Sequence, residues 1–293
     1  MIIKEKKTRV LRKLLERNKI LVAPAAYDCI SAKIIEHLGF EAVYMSGAGV
    51  SASRIGKPDI GLMTMTEQVD QARNIVNSVD IPVIADADTG YGNPINVMRT
   101  VNMFEQTGVA AIHLEDQEIP KRCGHMEGKT VISGASMVQK IKAATEARMD
   151  KDFFIIARTD AKAIYGIDDA IERGRAYVAA GADGIFIEAP ESVDELKKIA
   201  KSFSVPLLVN RPPSKKTPWL SSQELEDLGF KIVIFPGYTN AAVEKALIDL
   251  FTVLKTTGNI TSSYDRMLTG EESWKLMDLD KYRALEKKYG DTE

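Results

Sequence analysis

The chain has 293 residues, 45% of them apolar and 27% charged, with a formal net charge of −2. This balance suits a globular protein with a sizeable core and supplies no basic excess for a nucleic-acid partner. No apolar run approaches the ~18 residues that span a bilayer, and the basic N-terminus lacks the apolar segment and small-residue cleavage site of a secretory signal. Cys29 and Cys123 are the two cysteines; so widely spaced, they read as free thiols of a reducing compartment, and the cytoplasm is the expected location.

In chain order, residues 6–18 read as a helix ahead of the first strand, with Val10, Leu11, Leu14 and Leu15 on one face. Strands are expected at 20–23, 42–45, 82–85, 110–114, 153–157, 184–187, 205–209 and 231–235. These are near-continuous apolar runs, the pattern of parallel strands covered on both faces. Helical patterns lie between them. Ile167, Ala170, Ile171, Gly174, Tyr177 and Val178 keep the i, i+3, i+4, i+7 spacing up to Gly181. Ser192 with Glu195 and Ser221 with Glu224 have capping-box spacing at two more helix starts. This alternation predicts an α/β fold, a single (β/α)8 TIM-type barrel over 1–293 with an extra N-terminal helix. Residues 261–293 form a C-terminal helical extension that carries more apolar surface than a solvated tail would.

Gly47-Ala48-Gly49-Val50-Ser51-Ala52 fits a dinucleotide fingerprint. It follows the second strand rather than the first, and Gly56, Pro58 and Gly61 come soon after it. It is read instead as a flexible loop whose free N–H groups suit a carboxylate.

Chemistry in a β/α barrel sits at the carboxyl ends of the strands. Those ends carry Ser46-Gly47, Asp86-Ala87-Asp88, Glu115-Asp116, Arg158-Thr159-Asp160, Glu188 and Asn210. Any one of these acids could simply cap a helix or pair with an arginine. Asp86, Asp88 and Glu115 together crowd negative charge on adjacent strands, with no Lys or Arg at those two ends, and so call for a cation. Hard oxygen donors without His or Cys favour Mg²⁺, with Mn²⁺ as a substitute. Asp86 and Asp88, two residues apart, are expected to share a strand face. A second cluster, Lys121-Arg122-Cys123-Gly124-His125, sets a cysteine among cations in a polar loop. That is an unusual place for a buried hydrophobe and a suitable one for a reactive thiol acting as a general acid. Cys29, beside Ile30 in an apolar helical pattern, reads as core.

This loop following Glu115-Asp116-Gln117 resembles the signature loop of the isocitrate lyase/phosphoenolpyruvate mutase superfamily, and the form with Arg before Cys is similar to that of 2-methylisocitrate lyases. The likeness takes in Tyr44-Met45-Ser46-Gly47, Asp86-Ala87-Asp88, Ala157-Arg158-Thr159-Asp160, Glu188-Ala189, Asn210 and Thr217-Pro218. It implies Mg²⁺ near Asp88, with Asp59, Asp86 and Glu115 mainly in its water-mediated outer shell. It implies that Ser46, Gly47, Gly124, His125, Arg158, Glu188, Asn210 and Thr217 hold a small carboxylate substrate, with Cys123 as the acid. Arg158 and Asn210 are assigned to stabilising the developing negative charge, and Tyr44 is a candidate base. The resemblance further implies a homotetramer with C-terminal helices swapped between subunits.

The expected reaction is cleavage of a malate-type 2-hydroxy acid, foremost 2-methylisocitrate to pyruvate and succinate, with 2,3-dimethylmalate as the alternative substrate. Two departures bear on that choice. Arg211-Pro212-Pro213-Ser214-Lys215-Lys216 replaces an acidic, Gly-containing stretch, and Ala48 stands where those lyases have Gly. Arg211, Lys215 and Lys216 either meet a third carboxylate or face solvent. A phosphonomutase shares the fold and metal site without needing the cysteine. A Schiff-base aldolase needs a lysine at a strand end, and none is there. A non-catalytic barrel gives no reason for a charged cysteine loop opposite a carboxylate cluster.

Overall fold

The eight apolar runs become the eight strands of one closed parallel barrel. The computed structural model describes residues 5–214 and 216–290. The strands are β1 (Leu21–Ala26), β2 (Val43–Met45), β3 (Val83–Asp86), β4 (Ala111–Glu115), β5 (Phe154–Thr159), β6 (Gly184–Ile187), β7 (Leu207–Asn210) and β8 (Ile232–Phe235), each hydrogen-bonded to the next and β8 to β1. Each expected strand is found, its ends shifted by three residues or fewer. β1 runs farthest beyond its expected range, because Pro24, Ala25 and Ala26 still pair with their neighbours on β8 and β2.

Side chains alternate along each strand. Leu21, Ala23, Ala25, Tyr44, Ile84, Ala111, Phe154, Ile156, Phe186, Leu208, Ile232 and Ile234 fill the barrel interior, while Val43, Val83, Ile112, Ile155, Ile185, Val209 and Val233 join the core under the helices. The same parity carries forward to the carboxyl ends. Ser46, Asp86, Glu115, Arg158, Glu188 and Asn210 each sit two residues, or four for Glu115, beyond an interior apolar residue. The period of two therefore aims all six into the barrel mouth.

The N-terminal helix, Lys7–Glu16, buries Leu11 and Leu15 against the interior cluster. Helix Ile167–Ala179 has its expected buried face of Ala170, Ile171, Gly174 and Tyr177. Ser192 and Ser221 cap Val193–Ala200 and Ser222–Leu228 as their spacing requires, and the full reciprocal box forms at Ser221. One expectation fails. Residues Gly47–Ile55 are not a loop but a helix, capped by Ser46 Oγ accepting from the Gly49 amide and ended by left-handed Gly56. The glycines at its start weaken a helix but do not forbid one, and the N-cap offsets part of their cost.

The chain divides into two compact units, 1–238 and 239–293, so the separation falls ahead of the extension expected from residue 261. The second unit holds most of helix Tyr238–Thr257, a 3-10 turn Thr261–Arg266, and helices Gly270–Leu276 and Leu279–Tyr289. Leu247, Ile248, Phe251, Trp274 and Tyr282 of this unit are exposed. No helix among the described residues is long and apolar enough to cross a membrane.

Candidate active site

At the carboxyl end of the barrel lies a cleft of about 250 Å³, lined by Tyr44, Ser46, Ala48, Asp59, Asp86, Cys123, Gly124, His125, Arg158, Glu188, Asn210, Pro212, Pro213 and Ser214 among others. Most of the expected substrate-binding set is brought together there. Gly47 and Thr217 lie outside the lining, as do Asp88 and Glu115. Gly47 still has a reason to be glycine, since a Cβ there would stand 2.7 Å from Asp86 Oδ2. Thr217 is buried, and its hydroxyl has no hydrogen-bond partner.

Arg158 is the centre of the charge pattern. Its Nε donates to Asp160 Oδ2 at 2.9 Å and its Nη2 to Asp160 Oδ1 at 3.2 Å. Glu115 Oε2 is 3.3 Å from Nη1, Glu188 Oε1 is 4.0 Å from Nη2, and the guanidinium lies over the Phe186 ring. Asp160 is itself fixed by Asp116, which accepts from the Asp160 amide, the Thr159 hydroxyl and the Tyr177 hydroxyl. Asn210 Nδ2 donates to Glu188, and His125 Nε2 is 3.2 Å from it. Burial pushes the Glu188 carboxyl up, but Arg158 and His125 outweigh it and hold the group below its usual range.

The carboxylate cluster departs from expectation in two ways. β3 ends at Asp86, and Asp88 lies past it in a left-handed conformation with φ 48°, so the two do not share a strand face. Asp86 Oδ1 instead accepts from the Asp88 amide at 3.0 Å, and Tyr91 Oη donates to Asp88 Oδ2. Nor is the cluster without a cation. Lys121 Nζ reaches down from the cysteine loop to 2.6 Å from Asp88 Oδ1 and 2.7 Å from Asp59 Oδ1. Lys121 was visible in the sequence only as a flank of the cysteine, because nothing local pairs it with an acid 62 residues earlier.

Negative charge remains in excess even so. Asp59, Asp86, Asp88, Glu115, Asp160 and Glu188 face three paired cations, Lys121, Lys129 and Arg158. Both Glu115 oxygens are buried without a hydrogen bond. Burial, with Asp86 and Asp59 adding to it, pushes Asp88 up to about 6 despite Lys121, while His113, Lys121 and Arg158 overcome burial to hold Asp86 low. No three His, Cys, Asp or Glu side chains among the described residues converge closely enough to hold an ion by themselves. All-oxygen donors, excess negative charge and unpartnered Glu115 oxygens fit a largely hydrated Mg²⁺, which takes one or two carboxylates and keeps several waters.

Tyr44 and His113 share a hydrogen bond of 2.9 Å and stack, and Phe186 meets His113 edge-on. Burial and the nearby Asp86 raise the Tyr44 hydroxyl well above its ordinary value, while burial lowers His113 to about 4. A phenol so placed holds its proton tightly, so Tyr44 can serve as base only while passing that proton to His113.

Cys123 is set by its backbone. Its amide donates to the Asp59 carbonyl at 2.9 Å, and its carbonyl accepts from Met126. Its setting is not electropositive as expected, since Lys121 is engaged by Asp59 and Asp88. Burial, with Asp59 and Glu188, raises the thiol above its usual value. Cys29 is half-buried in the first turn of helix Cys29–His37, less enclosed than a core residue.

Arg211 and Lys216 do not line the cleft. Arg211 is buried, donates through Nη1 to the Pro218 carbonyl at 2.5 Å and lies over Trp219. It neither reads a carboxylate nor faces solvent. Lys216 is exposed, with Nζ 3.5 Å from the His125 carbonyl; Lys215 lies outside the described residues. The cleft wall here is Pro212, Pro213 and Ser214.

A family described as phosphoenolpyruvate phosphomutase matches residues 11–253. A 2,3-dimethylmalate lyase of Eubacterium barkeri is 50% identical over 95% of this chain and 96% of its own. A 2-methylisocitrate lyase of Aeropyrum pernix is 43% identical over 93% and 88%. Among solved structures, a 2,3-dimethylmalate lyase described as a PEP mutase/isocitrate lyase superfamily member superposes with a TM-score of 0.93 at 36% identity, covering 98% of this chain and 96% of that one. A phosphonopyruvate hydrolase in complex with oxalate and Mg²⁺ gives 0.89 at 33%, covering 98% and 100%.

The packing around Gly124 yields a test. A Cβ there would overlap Glu188 Oε1 and Arg158 Nη2. These are side-chain ends, but their ion pairs and burial leave them little room to yield. Gly124→Ala should keep the far-UV circular dichroism while making the 117–131 loop newly sensitive to limited proteolysis. Gly134→Ala, whose Cβ would meet only Arg173 Cγ at 3.6 Å, should change neither. Equal resistance in both variants would show that the loop does not rest on this contact.

Proposed function

The chain belongs to the phosphoenolpyruvate mutase/isocitrate lyase superfamily, and on that premise we propose that it is a Mg²⁺-dependent carbon–carbon lyase acting on a dicarboxylic 2-hydroxy acid with an alkyl group at C3, as in 2,3-dimethylmalate. The observation that carries the choice of substrate is the cleft wall of Pro212 and Pro213, with Arg211 withdrawn to Pro218 and Trp219. The two prolines accommodate a methyl group, and no cation among the described residues of this wall meets a third carboxylate. A tricarboxylic substrate such as 2-methylisocitrate is the second reading, favoured by Lys216 at 3.5 Å from the His125 carbonyl.

Cleavage between C2 and C3 turns the C2 alcohol into a carbonyl and leaves the bonding pair on C3, beside a carboxylate. A bound Mg²⁺ supplies Lewis acidity toward the C1 carboxylate and the 2-oxygen; Asp88, with Asp59, Asp86 and Glu115 around it, would hold it. Arg158, Asn210 and His125 face the cleft as donors for the charge that spreads onto the distal carboxylate, and such fixed donors do most when they need no rearrangement. Ser46 and the amides that open helix Gly47–Ile55 offer a second anion site. Cys123 then gives its proton to C3. The protonated thiol fits that role better than it fits nucleophilic attack, which needs the thiolate. The proton on the 2-hydroxyl goes to Tyr44 Oη as the phenol passes its own proton to His113 Nε2, 2.9 Å away.

The apolar faces of the second unit support self-association, and a homotetramer with exchanged C-terminal helices is the reading we adopt. Leu247, Ile248 and Phe251 lie on one helix, and Ile30, Ile34 and the C-cap residue Leu38 make a separate exposed stripe at four-residue spacing along helix Cys29–His37 and its end. Contiguous apolar surface of this kind marks an interface.

Three outcomes are expected. Incubated with Mg²⁺ and a panel of malate-type acids, the protein should release a 2-oxo acid fastest from 2,3-dimethylmalate, and chelation should stop turnover until Mg²⁺ is returned. A preference for 2-methylisocitrate would move the assignment to the second reading, and no release from any acid would remove the lyase. Cys123→Ser should lower kcat by about 10²–10⁴-fold, the usual worth of a positioned proton donor, while Cys29→Ser stays near normal. A Cys123→Ser enzyme at full rate would end the acid assignment. Sedimentation should give a mass above that of a monomer, and deletion from residue 261 should lower it; an unchanged mass would count against exchange of these helices.

A further inference from the structure

Arg158 and Cys123 reach the cleft independently, one from β5 and the other from the 117–131 loop, yet their relative placement must be fixed to within about 0.5 Å for a working site. The loop is closed at its base by a bridge between Gln117 and Val131 and by the Glu118 amide donating to the Thr130 carbonyl. Its near end is held by Lys121 on Asp59 and Asp88. The Gly124-His125 peptide, one residue past Cys123, is held by another lysine. Lys129 Nζ donates to the Gly124 carbonyl and stands 3.1 Å from Asp160 Oδ1, the same oxygen that accepts from Arg158 Nη2 at 3.2 Å. The Lys129 side chain is 4% exposed and Asp160 is fully buried.

We propose that Lys129 is a positioning residue that locks the Gly124-His125 peptide, one residue past Cys123, to the Asp160–Arg158 pair, so that proton donor and anion-binding guanidinium share one fixed frame. An ammonium has three donors on one atom, and two of them here join a main-chain carbonyl to a carboxylate. The carboxylate cannot drift, because Asp116 holds the Asp160 amide and Arg158 grips both of its oxygens. Gly124 lacks a side chain where one would strike Arg158 and Glu188, which lets the peptide lie close enough for Lys129 to reach it. The sequence gives no sign of this role, since Lys129 sits among Glu127, Gly128 and Thr130 and reads as an ordinary loop cation.

The proposal rests on the reading of Cys123 as proton donor, and the experiment separates the two. Lys129→Met keeps the length and apolar stem while removing the donors. Alkylation of the whole enzyme by iodoacetamide, followed by peptide mass analysis, reports Cys123 and Cys29 separately. The rate at Cys123 should rise about tenfold while Cys29 is unchanged, and kcat should fall about 10–100-fold with KM within about threefold, the usual result of a misplacement near 1 Å. Lys129→Ala with added propylammonium should recover part of the lost kcat. An unchanged Cys123 rate overturns the proposal whatever happens to turnover. A faster Cys123 reaction at unchanged kcat would uphold the lock and sink the proton-donor reading instead. If Lys129→Met fails to fold, the same measurements on Lys129→Gln, which keeps one donor group, decide between these outcomes.

Discussion

A guanidinium buried at the centre of a barrel mouth dictates what the surrounding strand ends can be. Unpaired, Arg158 would cost many kcal/mol to remove from water, and a buried charge is tolerated only when its donors are matched. Glu115, Asp160 and Glu188 match it from β4, from just past β5 and from just past β6. Each of these carboxylates then needs further partners. Asp160 obtains Lys129 and the amide-binding Asp116, whose other oxygen is held by Thr159, Tyr177 and Arg173. Glu188 obtains Asn210 and His125. The demand travels outward until it reaches the helix layer at Tyr177 and Arg173, so that one buried cation organises residues from six segments of the chain. Glu115 is the exception. Beyond its ion pair with Arg158 its oxygens accept no hydrogen bond, which marks where the network stops closing on itself and where a further cation fits.

Legibility followed the range of the interaction. The strands were readable because parallel strands buried on both faces leave long apolar runs. The inward direction of Ser46, Asp86, Glu115, Arg158, Glu188 and Asn210 was fixed by a period of two that needs no tertiary information. The cysteine loop was readable from its composition. What escaped was whatever depends on pairing across the fold. Lys121 was seen as a neighbour of Cys123 and not as the counter-ion of Asp59 and Asp88. Lys129 was not seen at all. Arg211 was weighed between a ligand carboxylate and solvent, when its partners are a carbonyl and a ring seven and eight residues ahead. The helix at Gly47–Ile55 was missed for a local reason: two glycines in its first turn lower its propensity, and the contribution of the Ser46 cap was not counted against them.

The site also holds backbone that an ordinary loop would relax. Asp88 and Ala189 both have left-handed backbone without being glycine, at φ 48° and 55°, and they flank Asp86 and Glu188. Such conformations cost on the order of 1–3 kcal/mol each and persist where surrounding contacts over-determine them. At Asp88 those contacts are the Asp86 carboxylate on its amide, Tyr91 on one oxygen and Lys121 near the other. The turn carries Asp88 out of strand register, so that it faces Lys121 and Asp59 rather than the core. Placed in regular β conformation, Asp88 would follow the strand's own parity and lose that partnership.

On the proposed role of Cys123 as proton donor, the same charges serve the chemistry. A cysteine meant to attack a substrate is lowered by nearby cations; Cys123 is raised by burial, with Asp59 and Glu188 adding to it. At neutral pH it therefore stays protonated, the state in which a donor must wait. A carbanion beside a carboxylate is a far stronger base than a thiolate, so transfer from sulfur to carbon is downhill even from a raised value. The carboxylates that keep the proton in place also make the resulting thiolate costly, which favours its reprotonation before the next turnover. The His125 backbone hydrogen bond to Cys123 acts in the opposite sense, lowering the thiol. Loop 117–131 thus brings the donor and the group that moderates it on adjacent turns of backbone, and the two must be set against β5 and β6 together.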